Sequence, residues 1–258
     1  MTDSIAYRGL RYRKSIVTIP SNTPDPGPTP SFDPADLALT GWWKGEDYDD
    51  SGTGLWTGSA SAGTSGAHTF CDNTSAGAYK PAVGASINGI ATVDMVDNFR
   101  WLETNVNTSE LIDATEGTIF VVANITSIGT SDMDPNWNDK ILSIYGGLGG
   151  IAGNSLGPYA QMVSYDGNYD HDDVIITLSQ TILLTYRLNG GNIYSRLNKN
   201  PFSAGVATGG IFNTANPLVT SGPSNVVGRY GEIITAKGLS LSDCDDISDY
   251  LIDRFAIV

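Results

Sequence analysis

Short runs of β-branched and aromatic residues, each closed by turn formers, recur along most of this chain and leave it few architectures. The clearest covers residues 117–125, Gly-Thr-Ile-Phe-Val-Val-Ala-Asn-Ile, a β-branched run bounded by glycine and polar residues that reads as a buried strand. Residues 37–44, 140–145, 159–165, 181–188, 192–197, 225–230 and 231–236 read as further strands. Asn189-Gly190-Gly191, between two of them, predicts a tight hairpin. Thirty glycines, and acids that are mostly Asp, supply the turns such a fold needs. Short strands with frequent turn signals predict an all-β sandwich or jelly roll. A chain of 258 residues is long enough to bury one sizeable core of this kind. One helix is expected, at the end. Ser242 is its expected N-cap, Asp243, Asp245 and Asp246 fill its first turn, and Ile247, Tyr250, Leu251 and Phe255 form one apolar face.

The first 35 residues differ from this body. Residues 1–19 mix aromatic, β-branched and basic side chains, with Tyr7, Arg8, Arg11, Tyr12 and Arg13 at their centre, and read as an extended basic arm. Residues 20–35 hold six prolines, each fixing φ and removing a donor, so they form a stiff linker. The body then spans residues 36–258. Charge is divided the same way: residues 1–20 carry four cations against Asp3, about +3, which leaves about −17 for the rest of a chain whose net charge is −14. Such a body repels nucleic acid. No apolar run of 18 residues is present to span a membrane, and the first residues lack a signal-peptide core. Cys71 and Cys244 lack the spacing of a zinc or redox pair. Two separate buried thiols are expected, with a disulfide as the alternative.

Several motifs carry possible chemistry. Gly153-Asn154-Ser155-Leu156-Gly157 matches the pattern of a nucleophile elbow, but such an elbow needs a strand before it and a helix after it, and Pro158 follows here. The stretch from Gly146 onward reads instead as a glycine-rich loop. Asp166, Asn168, Asp170 and Asp172 place oxygen side chains at every second position, a spacing that can wrap calcium, although the glycine and closing Glu of an EF-hand are missing. Calcium is thus the candidate ion; no cofactor is required. Trp137 lies in a polar, loop-like run and, with Tyr165 and Tyr169, is the expected platform for a sugar ring. Trp42 and Trp43 are adjacent and so face opposite sides of a strand. One belongs to the core, and Trp43 is the one expected to remain available.

The ordered signals resemble the concanavalin A-like lectin/glucanase domains, jelly rolls related to the laminin-G group and frequent in phage structural and bacterial surface proteins. The resemblance rests on Leu39-Thr40-Gly41-Trp42-Trp43-Lys44-Gly45-Glu46, on Gly54-Leu55-Trp56-Thr57, on the Pro81 and Asn88-Gly89 stretch, and on the closing Gly231-Glu232-Ile233-Ile234, Leu241-Ser242-Asp243 and Tyr250-Leu251 segments. It covers about residues 36–258 and implies an all-β, concanavalin A-like sandwich with a short C-terminal helix. Retaining glycosidases of this fold carry a Glu-x-Asp-x-x-Glu run that sets two carboxylates about 5 Å apart. The five glutamates here, Glu46, Glu103, Glu110, Glu116 and Glu232, include no such run. The resemblance alone does not choose among glycan binders, hydrolases and structural modules; the missing run argues for a non-enzymatic one. With the arm and stiff linker the resemblance points to a phage virion protein of head-decoration, tail or fibre type, held to other virion proteins by its arm and projecting a body toward surface glycans. Nucleic acid and membrane are not expected partners. A homo-oligomer is expected, a trimer being the usual form of projecting virion proteins. A free or cell-surface carbohydrate-binding protein, and a hydrolase with a non-standard Asp pair, remain the alternatives.

Overall fold

The computed structural model describes residues 32–59, 68–72, 80–95, 102–128, 140–144, 149–154, 159–165, 169–207, 214–220 and 226–258. Of these, residue 140 and the strand residues between 143 and 173 are described by backbone only. The arm with Tyr7, Arg8, Arg11, Tyr12 and Arg13, most of the linker, and Trp137 lie outside the described residues.

Two antiparallel sheets form an all-β sandwich with one helix at its end. The first sheet runs, in spatial order, β15 (Val206–Ala207), β14 (Asn192–Leu197), β13 (Thr181–Asn189), β8 (Glu116–Ser127), β17 (Val227–Ala236), β6 (Ile90–Met95) and β5 (Ala82–Ile87), with β1 (Leu39–Lys44) also paired to β17. The second runs β12 (Tyr169–Ile175), β11 (Tyr159–Tyr165), β10 (Gly149–Asn154), β9 (Lys140–Ile144), β16 (Pro217–Thr220), β7 (Leu102–Asn107), β4 (Thr69–Cys71), β3 (Leu55–Thr57) and β2 (Tyr48–Asp49). Helix α1 is Leu241–Phe255.

Strand β8 is central in the first sheet and buried on both faces, as its continuous apolar run requires. Ile119, Val121, Ala123 and Ile125 face the second sheet, in one core with Trp43 and Tyr230 of their own sheet and Trp56 and Phe70 of the second. Phe120 and Val122 face the other way, into a second core of Trp42, Ile234, Cys244, Ile247, Leu251 and Phe255 beneath the helix. The hairpin between β13 and β14 turns on Gly190 and Gly191, both at positive φ (59° and 79°), with Asn189 and Asn192 as the closing pair. That is the turn expected from Asn-Gly-Gly.

Four local expectations are corrected. Residues 225–236 are not two strands but one, β17, with a register shift between Tyr230 and Glu232 that leaves Gly231 as an extra residue. This bulge turns Tyr230 toward the inter-sheet core while Glu232 faces the helix. A Cβ on Gly231 would lie 2.6 Å from the Phe255 ring, so the glycine also lets the helix approach. The helix begins earlier than expected. Ser240, not Ser242, is the N-cap, in a capping box in which Asp243 N donates to Ser240 Oγ (3.1 Å) and Ser240 N donates to Asp243 Oδ2 (2.9 Å). Residues 149–154 form strand β10 and not a glycine-rich loop, and the next described element is strand β11 and not a helix, while Ser155, Leu156 and Gly157 lie outside the described residues. Pro34–Asp36 form a short 3-10 turn and Phe32 packs against the second core, so the packed body takes in residues assigned above to the linker.

Glu232 ties three elements together. It is fully buried, its Oε1 accepts from Trp42 Nε1 on β1, and its Oε2 accepts from Arg254 Nε on α1 at 2.9 Å. Arg254 also pairs with Glu46 just beyond β1. Burial pushes the Glu232 carboxyl up to about 7, although Trp42 and Arg254 favour its ionised form. The unfolded chain gives up this proton in the ordinary carboxyl range, whereas the folded chain holds it to about 7. Folding therefore takes up a proton between those values, and this stability is full at low pH and is lost as pH rises through the folded value. Melting temperature should accordingly fall between about pH 5 and about pH 8, and Glu232→Gln should flatten that fall. Arg254→Ala, which removes a cation favouring the ionised form, should leave the Glu232 carboxyl protonated at neutral pH and cost about 1–3 kcal/mol in denaturant unfolding there.

Candidate functional site

The core accounts for most of the aromatic residues that could have contacted a ligand. Trp43, expected to be available, is fully buried; its ring meets Phe70 at 4.7 Å and its Nε1 donates to the His68 carbonyl at 3.0 Å. Both faces of β1 are covered, one by the second sheet and one by α1, so neither tryptophan of the pair is left for solvent. Trp56 is buried as well, with Nε1 donating to the Lys44 carbonyl at 2.6 Å. Tyr165 and Tyr169 are register partners where β11 meets β12, at the edge of the second sheet. Asp170 and Asp172 fall within strand β12, paired with Ser164 and Met162, while Asp166 and Asn168 lie outside the described residues. Among the described residues no group of three His, Cys, Asp or Glu side chains is placed to hold a metal ion.

A different surface is assembled on the second sheet. Strand β7 alternates Leu102, Thr104 and Val106 toward the core with Glu103, Asn105 and Asn107 on the outer face. The exposed end of that face forms a groove of about 460 Å³ lined by His68, Asn105, Asn107, Glu110 and Pro217, among others. Its walls are fixed from both sides. Asn105 Oδ1 accepts from Thr69 N at 2.9 Å, which anchors it to β4 and leaves its amide N–H₂ as the free end. Thr108 N and Oγ1 donate to the Asn216 carbonyl at 2.8 and 2.7 Å, and Ser109 N donates to Thr214, which stitches the end of β7 to the chain entering β16. His68 is held through its backbone, because its carbonyl accepts from both Gly58 N and the Trp43 indole. Buried Trp43 thus shapes the groove from below without entering it. Two exposed amides, an imidazole and a carboxylate converge here. Such groups donate and accept hydrogen bonds to a ligand's hydroxyls.

Beside the groove, Leu55, Cys71, Glu103 and Val219 form one cross-strand row. Burial, and then the neighbouring Asp72, hold the Glu103 carboxyl above its usual range. Burial, with Glu103 and Asp72, also raises the Cys71 thiol. Glu103 is 8% exposed and Asp72 3%, so this carboxylate pair presents almost no surface to a ligand. Periodicity alone did not single out either residue. The only sequence signal for the groove was the polar alternation Glu103-Thr104-Asn105-Val106-Asn107.

The fold defines the class: a two-sheet antiparallel β-sandwich of the jelly-roll-like kind. No family model matches the chain, and no curated protein matches it in sequence. Solved structures do match. The Trypanosoma rangeli sialidase in complex with 2,3-difluoro-KDN aligns with a TM-score of 0.57 at 8% identity, over 90% of this chain and 36% of that one. The same sialidase in complex with sialic acid gives 0.54 at 7%, over 86% and 34%. The binding domain of botulinum neurotoxin serotype D gives 0.52 at 10%, over 83% and 51%. The chain thus spans about a third of the sialidase and about half of the neurotoxin domain. These likenesses show the fold.

Cys71 lies on β4 of the second sheet and Cys244 on α1, facing the core beneath it, and neither is in a disulfide. Protein unfolded without reductant should therefore titrate as two thiols per chain. Folded protein at neutral pH should react slowly, because burial raises both thiols above their ordinary range. A count of zero would show a disulfide instead.

Proposed function

We propose that this chain is a non-enzymatic virion module of a bacteriophage, of head-decoration, tail or fibre type. Its basic arm fastens it to other virion proteins, and its concanavalin A-like sandwich binds glycans on the host surface. The observation that carries the binding half is the groove on the second sheet, where Asn105, Asn107, His68 and Glu110 converge on an open, pre-formed surface. Amides and carboxylates held by the fold suit sugar hydroxyls, and Pro217 offers an apolar wall. The fold neighbours add support: one is a sialidase solved with sialic acid and another is a neurotoxin binding domain.

The non-enzymatic reading is supported by the carboxylates. Glycoside hydrolysis needs two of them flanking a substrate bond. Asp72 and Glu103, neighbours on the second sheet, are nearly inaccessible, and Glu232 is committed to Trp42 and Arg254. The virion half is carried by the arm, in which Tyr7, Arg8, Arg11, Tyr12 and Arg13 precede a proline-rich spacer. Many copies on one particle would give a weak groove avidity. A homo-oligomer, with a trimer as its simplest form, fits that use. A free or cell-surface lectin would share the groove but have no use for the arm.

Two measurements separate these parts. Asn105→Ala with Asn107→Ala should reduce binding to bacterial surface polysaccharide about tenfold or more while leaving the melting temperature within a few degrees. Unchanged binding would remove the groove from the account. A chain lacking residues 1–31 should remain folded and bind polysaccharide, yet fail to join particles; assembly without the arm would defeat the virion reading.

A further inference from the structure

A second groove, on the opposite side of the molecule, has a different chemistry. The β13–β14 hairpin places Arg187 opposite Tyr194 and Thr185 opposite Arg196 on the outer face of the first sheet. Arg187, Tyr194 and Arg196, together with Phe202, Asn189 and Asp245, line a cavity of about 460 Å³. The two arginines are treated unequally. Arg196 is 6% exposed and fully engaged at its tip: Nη1 meets Asp245 Oδ1 at 2.5 Å, and Nη2 donates to the Cys244 carbonyl and Ser248 Oγ, each at 2.6 Å. Its guanidinium lies 4.4 Å from the Phe202 ring, and its buried Nε has no hydrogen-bond partner among the described residues. Arg187 makes one hydrogen bond, from Nη2 to the Leu239 carbonyl at 3.4 Å, and no ion pair among the described residues.

In a chain of net charge −14, Lys44 and Arg229 likewise form no ion pair among the described residues, and of the three it is Arg187 that lines this groove. Arg254 is matched to Glu46 and Glu232, Lys199 to Asp249, and Lys237 to Asp113. Asp245 is taken by Arg196, and Glu116, on the adjoining strand, forms no ion pair with Arg187. The helix contributes no anion site, because its first turn is closed by its own capping box. The groove is also pre-formed. Ser203 N donates to the Ser195 carbonyl at 2.8 Å and Ser195 N to Ser203 Oγ at 3.1 Å, which fastens the 201–205 segment to β14. Gly205, at φ 84°, packs so closely that a Cβ there would meet the Tyr194 ring at 2.5 Å. The ring is thereby fixed beside Arg187.

We propose that this groove binds a carboxylate-bearing sugar, with the carboxylate on the Arg187 fork and the pyranose ring against Tyr194 and Phe202. A guanidinium whose donors are almost unused pairs bidentately with a planar carboxylate. The cavity is larger than a lone ion needs and is walled by aromatic surface, which fits a ring that carries the charge. One charge per sugar also meets less repulsion from the acidic body than a polyphosphate would. The proposal rests on the glycan-binding half of the reading above, but at a separate surface.

The test is calorimetric titration of the full chain with trigalacturonate, with its methyl-esterified trimer, with 3′-sialyllactose and with inorganic phosphate. At least one of the two acidic sugars should bind. The ester should bind about tenfold or more weakly than trigalacturonate if that is the ligand. Arg187→Ala should weaken binding about tenfold or more, and Arg187→Lys less, since a point charge replaces a fork. The Asn105→Ala/Asn107→Ala variant should bind the acidic sugar normally, so loss at one groove is distinguishable from loss at the other. No binding of either acidic sugar at about 10 mM, equal binding of acid and ester, or full affinity in folded Arg187→Ala would overturn the proposal. Phosphate binding as tightly as the sugar, and equally dependent on Arg187, would reduce the site to a general anion contact and overturn it too.

Discussion

A single carboxylate in the middle of a sheet conditions much of this structure. Glu232 lies on β17, the strand that holds β8 on one side and both β6 and β1 on the other. Burying a charge there is expensive unless it is paired and hydrogen-bonded. Trp42 and Arg254 supply the partners, and in doing so they fix the first strand and the last helix to the same point. The C-terminal helix is therefore part of the sandwich and not an appendage. Its apolar face completes the second core, and its Arg254 reaches on to Glu46, where the chain leaves β1. Gly231 makes the arrangement geometrically available, because only the bulge at that residue turns the carboxylate away from the inter-sheet core.

The division of faces follows from this. One side of the first sheet packs on the second sheet and its other side carries α1, so β1 and β8 are buried twice over. The two tryptophans of β1 go into holding the frame. What remains for binding lies where the covers end: the exposed end of β7 on the second sheet, and the hairpin face beyond the start of the helix on the first. The two grooves differ in kind. One gathers amides and a carboxylate, while the other gathers guanidinium and aromatic rings.

The strands that were legible in the sequence are those whose burial makes a continuous β-branched run, β8 and β13 above all, and the hairpin whose turn demands glycine at positive φ. The bulge in β17 was not legible, since an extra residue shifts the alternation and makes one strand look like two. The N-cap was misplaced by two residues because Ser240 and Ser242 both precede acids, and only the reciprocal bonds to Asp243 choose between them. The site was less legible than the fold. Aromatic residues read in sequence as sugar platforms, but a sandwich this size needs Trp42, Trp43 and Trp56 in its cores. Asn105, Asn107 and Arg187 have no local signature; they become a site only when pairing brings β4 and β16 beside β7, and Tyr194 beside Arg187.

The central claim is that the exposed end of β7 is a ligand surface shaped by the frame beneath it. Hydrogen exchange of the full chain, with and without bacterial surface polysaccharide, tests this most directly. Slowed exchange centred on residues 68–71 and 102–110 is the result predicted. Protection that leaves those segments unchanged and falls elsewhere on the chain would contradict it.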